Sequence, residues 1–241
     1  MSGDRASPEW MGSVRAAVMS ALHEDTSGVD ALAQVCRACV DLVGVDGASV
    51  SLMRDSMHQQ TLYTSDGVSA RLEALQFSLG EGPCFEAFGT RGPVLVPDLS
   101  EVGTESWPVF ASEVATIPVG AIFAFPLQSG AIRLGVIDLY RVRPGWLSPV
   151  ELAAALEIVD LATLILLGVQ SGGIEDGWLS AMPGDRARVH QATGMLLVAF
   201  EISAEQALAL LRGYAFSAGR LVDDVARDLV ARRILPSELG S

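Results

Sequence analysis

Apolar positions recur along this chain with two periods, about 3.6 and 2, and the changes between them mark the expected elements. Ser7-Pro8-Glu9 reads as a helix cap followed by proline, opening a helix to about residue 21. A second helix follows Asp30, with Leu32, Val35, Cys36, Cys39, Val40 and Val43 on one face. Strand patterns at 48–53 and 60–64 come next, and Ser65-Asp66-Gly67 marks a turn. A helix over 68–75 leads into Phe77 and Leu79. Gly80-Glu81-Gly82-Pro83 opens a short helix over 84–88, before a strand at 93–96 closed by Pro97 and a helix at 105–116. Strands 121–127 and 132–140, joined by Gln128-Ser129-Gly130, have the spacing and turn residues of a hairpin.

Ser148, Pro149 and Glu151 form a strong helix start, and that helix is expected over 148–170. Leu152, Leu156, Val159, Leu161, Ile165, Leu166 and Val169 leave it little polar surface. A helix apolar nearly all round is buried on more than one side, so one side is expected to cover the sheet and the other to pack on a second copy, with Leu166 in that contact. Residues 171–184, rich in Gly and Ser, read as a linker. Three helical patterns follow. The first, at 185–200, carries Val189, Ala192, Leu196 and Phe200 on one face. The second starts with the capping box Ser203/Gln206 and ends at Gly219, and the third is expected over 220–233.

Charge divides the chain. The 241 residues carry a formal net charge of −13, yet residues 186–233 hold seven Arg against five acidic residues. Any contact with a polyanion is therefore local rather than spread over the surface. Every basic charge is an Arg, the side chain that makes bidentate phosphate contacts and stacks on bases. The longest apolar run, 161–169, is too short to span a bilayer, and 1–10 has no signal-peptide pattern, so a cytoplasmic protein with no membrane contact is expected. Three cysteines, Cys36, Cys39 and Cys84, fit a reducing compartment, and His23 and His58 lack metal-ligand spacing to Cys36-x-x-Cys39. No catalytic Ser/His/Asp order, phosphate-binding loop or metal cluster stands out, so no enzyme is expected.

Gly80-Glu81-Gly82-Pro83-Cys84, then Pro93-Val94, then the strand ending Gly135-Val136-Ile137-Asp138-Leu139-Tyr140 resemble a GAF domain over 9–170, a small-molecule-sensing α+β fold with an antiparallel sheet flanked by helices. His190-Gln191-Ala192-Thr193-Gly194-Met195-Leu196, Ser203-Ala204-Glu205-Gln206-Ala207, Leu211-Arg212, Ala215 and Val225-Ala226-Arg227 resemble an ANTAR domain over 185–235, an all-α three-helix module. Together they resemble actinobacterial GAF-ANTAR regulators. The resemblance implies binding to RNA stem-loops, and thereby prevention of transcription terminators. In one departure, many relatives carry Lys where Thr193 stands, which removes a phosphate contact.

On this reading the expected RNA-binding residues are Arg186, Arg188, His190, Thr193, Gly194, Arg220, Arg227, Arg232 and Arg233. Arg220 and Arg227, seven apart, are expected on one face of the third helix. Gly194 in mid-helix permits close approach of a backbone or a nucleotide, and Asp223, Asp224 and Asp228 offer intrahelical ion pairs that neutralise part of the charge. Phe77, Cys84, Phe85, Phe123, Phe125 and Tyr140 are the candidate lining of a sensor pocket whose ligand the sequence does not name. A signal there is expected to reach the output helices through 148–170 and the linker. The competing readings are a DNA-binding regulator, a protein-interaction sensor, and a methionine sulfoxide reductase using Cys84.

Overall fold

Strands β1 (Gly47–Met53), β2 (Gln59–Thr64), β3 (Val94–Val96), β4 (Ala121–Ser129) and β5 (Ile132–Arg141) form one sheet in the order β2-β1-β5-β4-β3. Every neighbouring pair is antiparallel. The computed structural model describes residue 12 and residues 28–55, 58–101, 106–171 and 185–240. Apart from residue 12, the expected helix at 7–21 lies outside these, as does the linker at 171–184 apart from residue 171. β4 and β5 are the expected hairpin, closed at Gly130 with φ of +57°. β1 and β5 are covered on both faces, so they read as nearly continuous buried runs rather than as clean alternation.

One face of the sheet is covered by α1 (Gly28–Ala38), its π-helical extension Cys39–Val43, and α5 (Pro149–Ser171). Val50, Phe123, Phe125, Ile137 and Leu139 pack there against Leu32, Val35 and Ile158. The α5 start forms as expected: Ser148 N–H donates to Glu151 Oε2 at 2.7 Å, and Glu151 N–H to Ser148 Oγ at 3.3 Å. Leu166 is 1% exposed and belongs to this core, whereas Leu156 and Leu164 on the same helix are exposed.

The other face carries α2 (Gly67–Leu79), α3 (Pro83–Thr90) and α4 (Pro108–Val114). α2 outruns its expected span of 68–75. Asp66 caps its first turn, accepting from Val68 N at 2.7 Å and Ser69 N at 2.9 Å, and Gly80 ends it at φ of +70°. The turn signal at 65–67 is thus a helix cap, and Phe77 falls in the last turn rather than after it. α4 is shorter than its expected span of 105–116, which begins in residues that are not described.

The C-terminal part contains α6 (Asp185–Phe200), α7 (Ala204–Ser217), α8 (Val222–Val230) and a short α9 (Pro236–Leu239). Val189, Ala192 and Leu196 bury one face of α6 against Leu208, Leu211 and Leu229. Ser203 and Gln206 make both capping-box bonds, at 2.9 and 3.2 Å. Gly219 takes φ of +62°, and Arg220 N–H reaches back to Ala215 O at 2.8 Å while Gly219 N–H reaches Phe216 O at 3.0 Å, the paired bonds of a Schellman stop. That stop uses Arg220, so α8 starts at Val222 and not at 220. Arg220 and Arg227 therefore do not share a helix face, contrary to the seven-residue spacing.

Candidate functional site

The α2 face of the sheet holds a buried polar cluster. Strand alternation sends Ser49 and Ser51 of β1 and Asp138 of β5 to this side, opposite the apolar core. Glu73 of α2 meets them: its Oε1 accepts from Ser49 Oγ at 2.7 Å, and its Oε2 from Ser51 Oγ at 2.5 Å and Gln59 Nε2 at 3.0 Å. Thr61 adds a longer bond at 3.4 Å. One turn on, Gln76 donates from Nε2 to Asp138 Oδ2 at 2.7 Å and accepts Cys84 N–H at 2.8 Å. Burial, and then the charge of Glu73, push the Asp138 carboxyl well above the usual carboxylate range, which disfavours its ionised form. Gln59 Oε1 is buried without a hydrogen-bond partner, and the Asp138 carboxyl faces Glu73. Two carboxyl groups facing each other make the cluster unfavourable to an anion, and Gln59 Oε1 leaves one acceptor open to a hydrogen-bond donor.

Cys84 lies in this cluster, fully buried, with its Sγ 3.8 Å from Met53 Sδ. Burial, reinforced by Asp138 and Glu73, pushes its thiol well above its ordinary value. Cys36 and Cys39 lie across the sheet in the α1/α5 core, where burial raises both thiols, Cys39 to about 12. A resolving thiol beside Cys84 is therefore not among the described residues, and a thiolate there is disfavoured.

The six aromatic and thiol residues expected to line one pocket are not brought together. Phe123 and Phe125 point into the α1/α5 core. Tyr140 is on the α2 face, but its hydroxyl donates to Asp66 Oδ1 at 3.1 Å and its ring packs with Leu72 and Phe110. Phe85 lies partly buried beside Cys84 and Phe88. Phe77 leaves the sheet domain altogether and joins the C-terminal helices. Sequence reasoning missed Ser49, Ser51, Gln59, Glu73, Gln76 and Asp138. An aspartate inside the apolar run of β5, and a Ser-x-Ser alternation in β1, were the available signals.

On α6, His190, Thr193 and Gly194 do come together. With His58, Val189, Leu197, Ala204 and Leu208 they line a groove of about 190 Å³. No atom outside its own helix backbone lies within 4 Å of where a Gly194 side chain would begin, so tight packing does not explain this glycine. Thr193 returns its hydroxyl to Val189 O at 2.8 Å. The His190 ring stacks on His58 of the β1–β2 loop, centroids 5.7 Å apart. Partial burial, then the nearby His58 and Arg186, hold its pKa below the usual 6.5 even though its edge stays exposed.

The expected arginines divide. Arg186 is only 13% exposed, pairs with Asp223 at 3.1 Å and sets its Cζ over the Phe77 ring, 3.4 Å from the centroid. Arg220 and Arg233 share Asp228, at 2.6 and 3.0 Å, and Arg227 pairs with Asp224 at 2.8 Å. The pairs of Arg227 and Arg233, whose arginines are exposed, are weak and exchangeable, whereas the Arg220–Asp228 pair is half-buried. Arg188 and Arg232 are exposed. Arg212, not among the expected residues, is pulled down to about 10 by burial and by Arg186. It donates from Nε to the Phe77 carbonyl at 3.0 Å.

A sheet-and-helix domain with a polar interior, joined to a helical module bearing a solvent-open groove, is the architecture of a sensor with an attached regulatory module. The GAF domain family model matches residues 27–167, more than half of the chain, and the ANTAR domain model matches 179–230. The chain belongs to the GAF domain family and carries an ANTAR domain behind it, making it a signal-sensing regulator of the GAF-ANTAR kind. Among solved structures it is similar to the GAF domain of a phosphoenolpyruvate-protein phosphotransferase from Coxiella burnetii, with 13% identity and a TM-score of 0.55 over 68% of this chain and 96% of that one. The GAF domain of the Acinetobacter phosphoenolpyruvate-protein phosphotransferase gives 13% identity and a TM-score of 0.51 over 69% and 98%. Such identities bear on the fold alone. No curated protein sequence matches the chain. Among the described residues no single helix is long and apolar enough to cross a membrane.

Proposed function

We propose that this protein is a signal-responsive transcription antiterminator of the cytoplasm, which binds RNA stem-loops through its ANTAR domain and has no catalytic role. The observation that carries the reading is the open groove beside Gly194: a mid-helix glycine, a histidine and an apolar floor with space for an unstacked base. Sequence-specific recognition of RNA takes place mostly on such splayed loop bases, while phosphates supply affinity. Arg227, Arg232 and Arg233 are exposed and can supply the phosphate term, and the weak Asp partners of Arg227 and Arg233 yield readily to phosphate. The inert environment of Cys84 supports a sensing rather than a reductase role for the GAF domain.

Gly194→Ala separates function from stability. Nothing obstructs the added methyl, so the variant is expected to be more stable by about 1 kcal/mol in urea unfolding. Hairpin RNA is expected to bind it about fivefold more weakly, equivalent to roughly 1 kcal/mol. Equal affinity for the variant, or equal binding of duplex DNA and hairpin RNA by the natural chain, would sink the proposal.

The same reading includes a homodimer along α5. Its outward positions include Leu156 and Leu164, apolar and exposed. Two ANTAR domains in one particle would raise the effective concentration at neighbouring stem-loops. Leu164→Glu is expected to give a monomer in sedimentation with the fold intact. Leu166→Glu, in contrast, is expected to unfold the GAF core, because that side chain is 1% exposed. A natural chain that is already monomeric at working concentration overturns the dimer.

A further inference from the structure

The C-terminal turn of α2 and the ANTAR domain complete each other's helix ends. Phe77, a residue of the GAF domain, is 2% exposed and sits in the ANTAR hydrophobic cluster with Val189, Leu211 and Val225. Two ANTAR arginines grip it: Arg186 lies 3.4 Å from its ring centroid and Arg212 5.2 Å. Arg212 also caps the end of α2 through the Phe77 carbonyl, placing a cation at the negative end of that helix. In return, Ser78 Oγ accepts the Val222 amide at 3.0 Å, capping the start of α8, whose own cap position, Leu221, has no side chain able to do so. Gly80 lets this happen, since a side chain there would begin 2.7 Å from Arg212 Nη1.

This docking removes binding capacity from the ANTAR surface. Arg186 and Arg212 are two of the seven arginines of residues 186–233, and both are committed to Phe77. His58, from the GAF loop, stacks on His190 at the wall of the groove. The opposite side of the same α2 segment holds the polar cluster through Glu73 and Gln76, so Gln76 and Phe77 are consecutive residues serving the two ends of a lever. Any rearrangement of hydrogen bonding around Asp138 acts on α2 within one residue of the clamp.

From this geometry we infer that the clamp on Phe77 is an autoinhibitory contact: the GAF domain holds the ANTAR domain through the end of α2, withholds it from RNA, and releases it when α2 shifts on the polar cluster. The inference rests on the RNA-binding reading and adds to it a route of control. That route runs directly from α2 to the ANTAR domain rather than along α5 and the linker.

The test uses the full chain with Phe77→Ser and, separately, Arg212→Gln, since loss of a buried phenylalanine alone can impair folding. Folding is checked by circular dichroism, domain separation by small-angle scattering, and affinity with a pool of hairpin RNAs of randomised loop sequence. Both variants are expected to be folded and more extended; Phe77→Ser, which frees both arginines, is expected to bind the pool about tenfold more tightly than the natural chain, and Arg212→Gln, which frees Arg186 alone, more tightly by a smaller factor. Extended variants whose RNA affinity is unchanged or lower overturn the inhibition and leave the RNA-binding reading standing. Two folded variants that stay as compact as the natural chain also overturn it, because the clamp is then not what holds the domains. Absence of RNA binding in the natural chain and in extended variants alike overturns both readings together.

Discussion

Glu73→Ala is expected to cost the GAF domain about 2–4 kcal/mol in denaturant unfolding, an effect set by the partners it strands. Glu73 is 2% exposed and accepts from Ser49, Ser51 and Gln59 at 2.5–3.0 Å. With the carboxylate gone, these donors remain on a sheet face that excludes water, and each unsatisfied group carries its own desolvation penalty. Asp138→Asn supplies the contrast. Burial and Glu73 disfavour a charge on Asp138, and an amide there matches its size, still accepts from Gln76 Nε2 and can donate toward Glu73. That variant is expected to stay within about 1 kcal/mol of the natural chain. Equal losses for the two would mean that the cluster is not organised around Glu73. Because burial and Glu73 raise the Asp138 carboxyl, the stability tied to its neutral form is full below the ordinary carboxylate range and falls as pH rises from there toward the raised value.

The second large effect is at Gly135. In the sheet this residue lies opposite Leu52 of β1 and Leu127 of β4, next to the irregularity between Leu127 and Gln128. A methyl group there would overlap the carbonyl oxygen of Ser51 and lie 3.0 Å from Leu52 Cα. Both are backbone atoms in a strand held on two sides, by β2 and β5, so neither can swing aside. Gly135→Ala is expected to cost about 3 kcal/mol or more, or to abolish soluble expression. Gly89 serves as the control: it is in α3, with nothing within 4 Å of an added methyl. Gly89→Ala is expected to be neutral or stabilising by up to about 1 kcal/mol in the same urea titration. Parallel behaviour of the two glycines would refute close approach as the reason for Gly135.

Local chemistry was legible wherever the partners are near neighbours in the chain. The pairs Ser148/Glu151 and Ser203/Gln206, and the stop at Gly219, form because each needs only residues three to five apart. The hairpin of β4 and β5 follows from its turn spacing in the same way. The expected pocket failed to assemble for a different reason. Aromatic character alone does not say which face a side chain takes, and the period of two along β4 sends Phe123 and Phe125 to the face opposite Cys84. Arg186 was expected on a surface because it opens a helix, but the fold turns it onto a ring more than 100 positions earlier in the chain.

By itself, then, the amino-acid sequence determined the two domain types through their motifs, the caps of α5 and α7, the central hairpin and the concentration of arginine in the last helices, because these depend on composition and short-range pattern. Only the tertiary structure decided which face of the sheet is polar, that Glu73 and Asp138 meet there, and that Phe77 is buried in the domain that follows its own. Those outcomes depend on contacts between residues far apart in the chain, where burial and desolvation select among partners that the local pattern leaves equivalent.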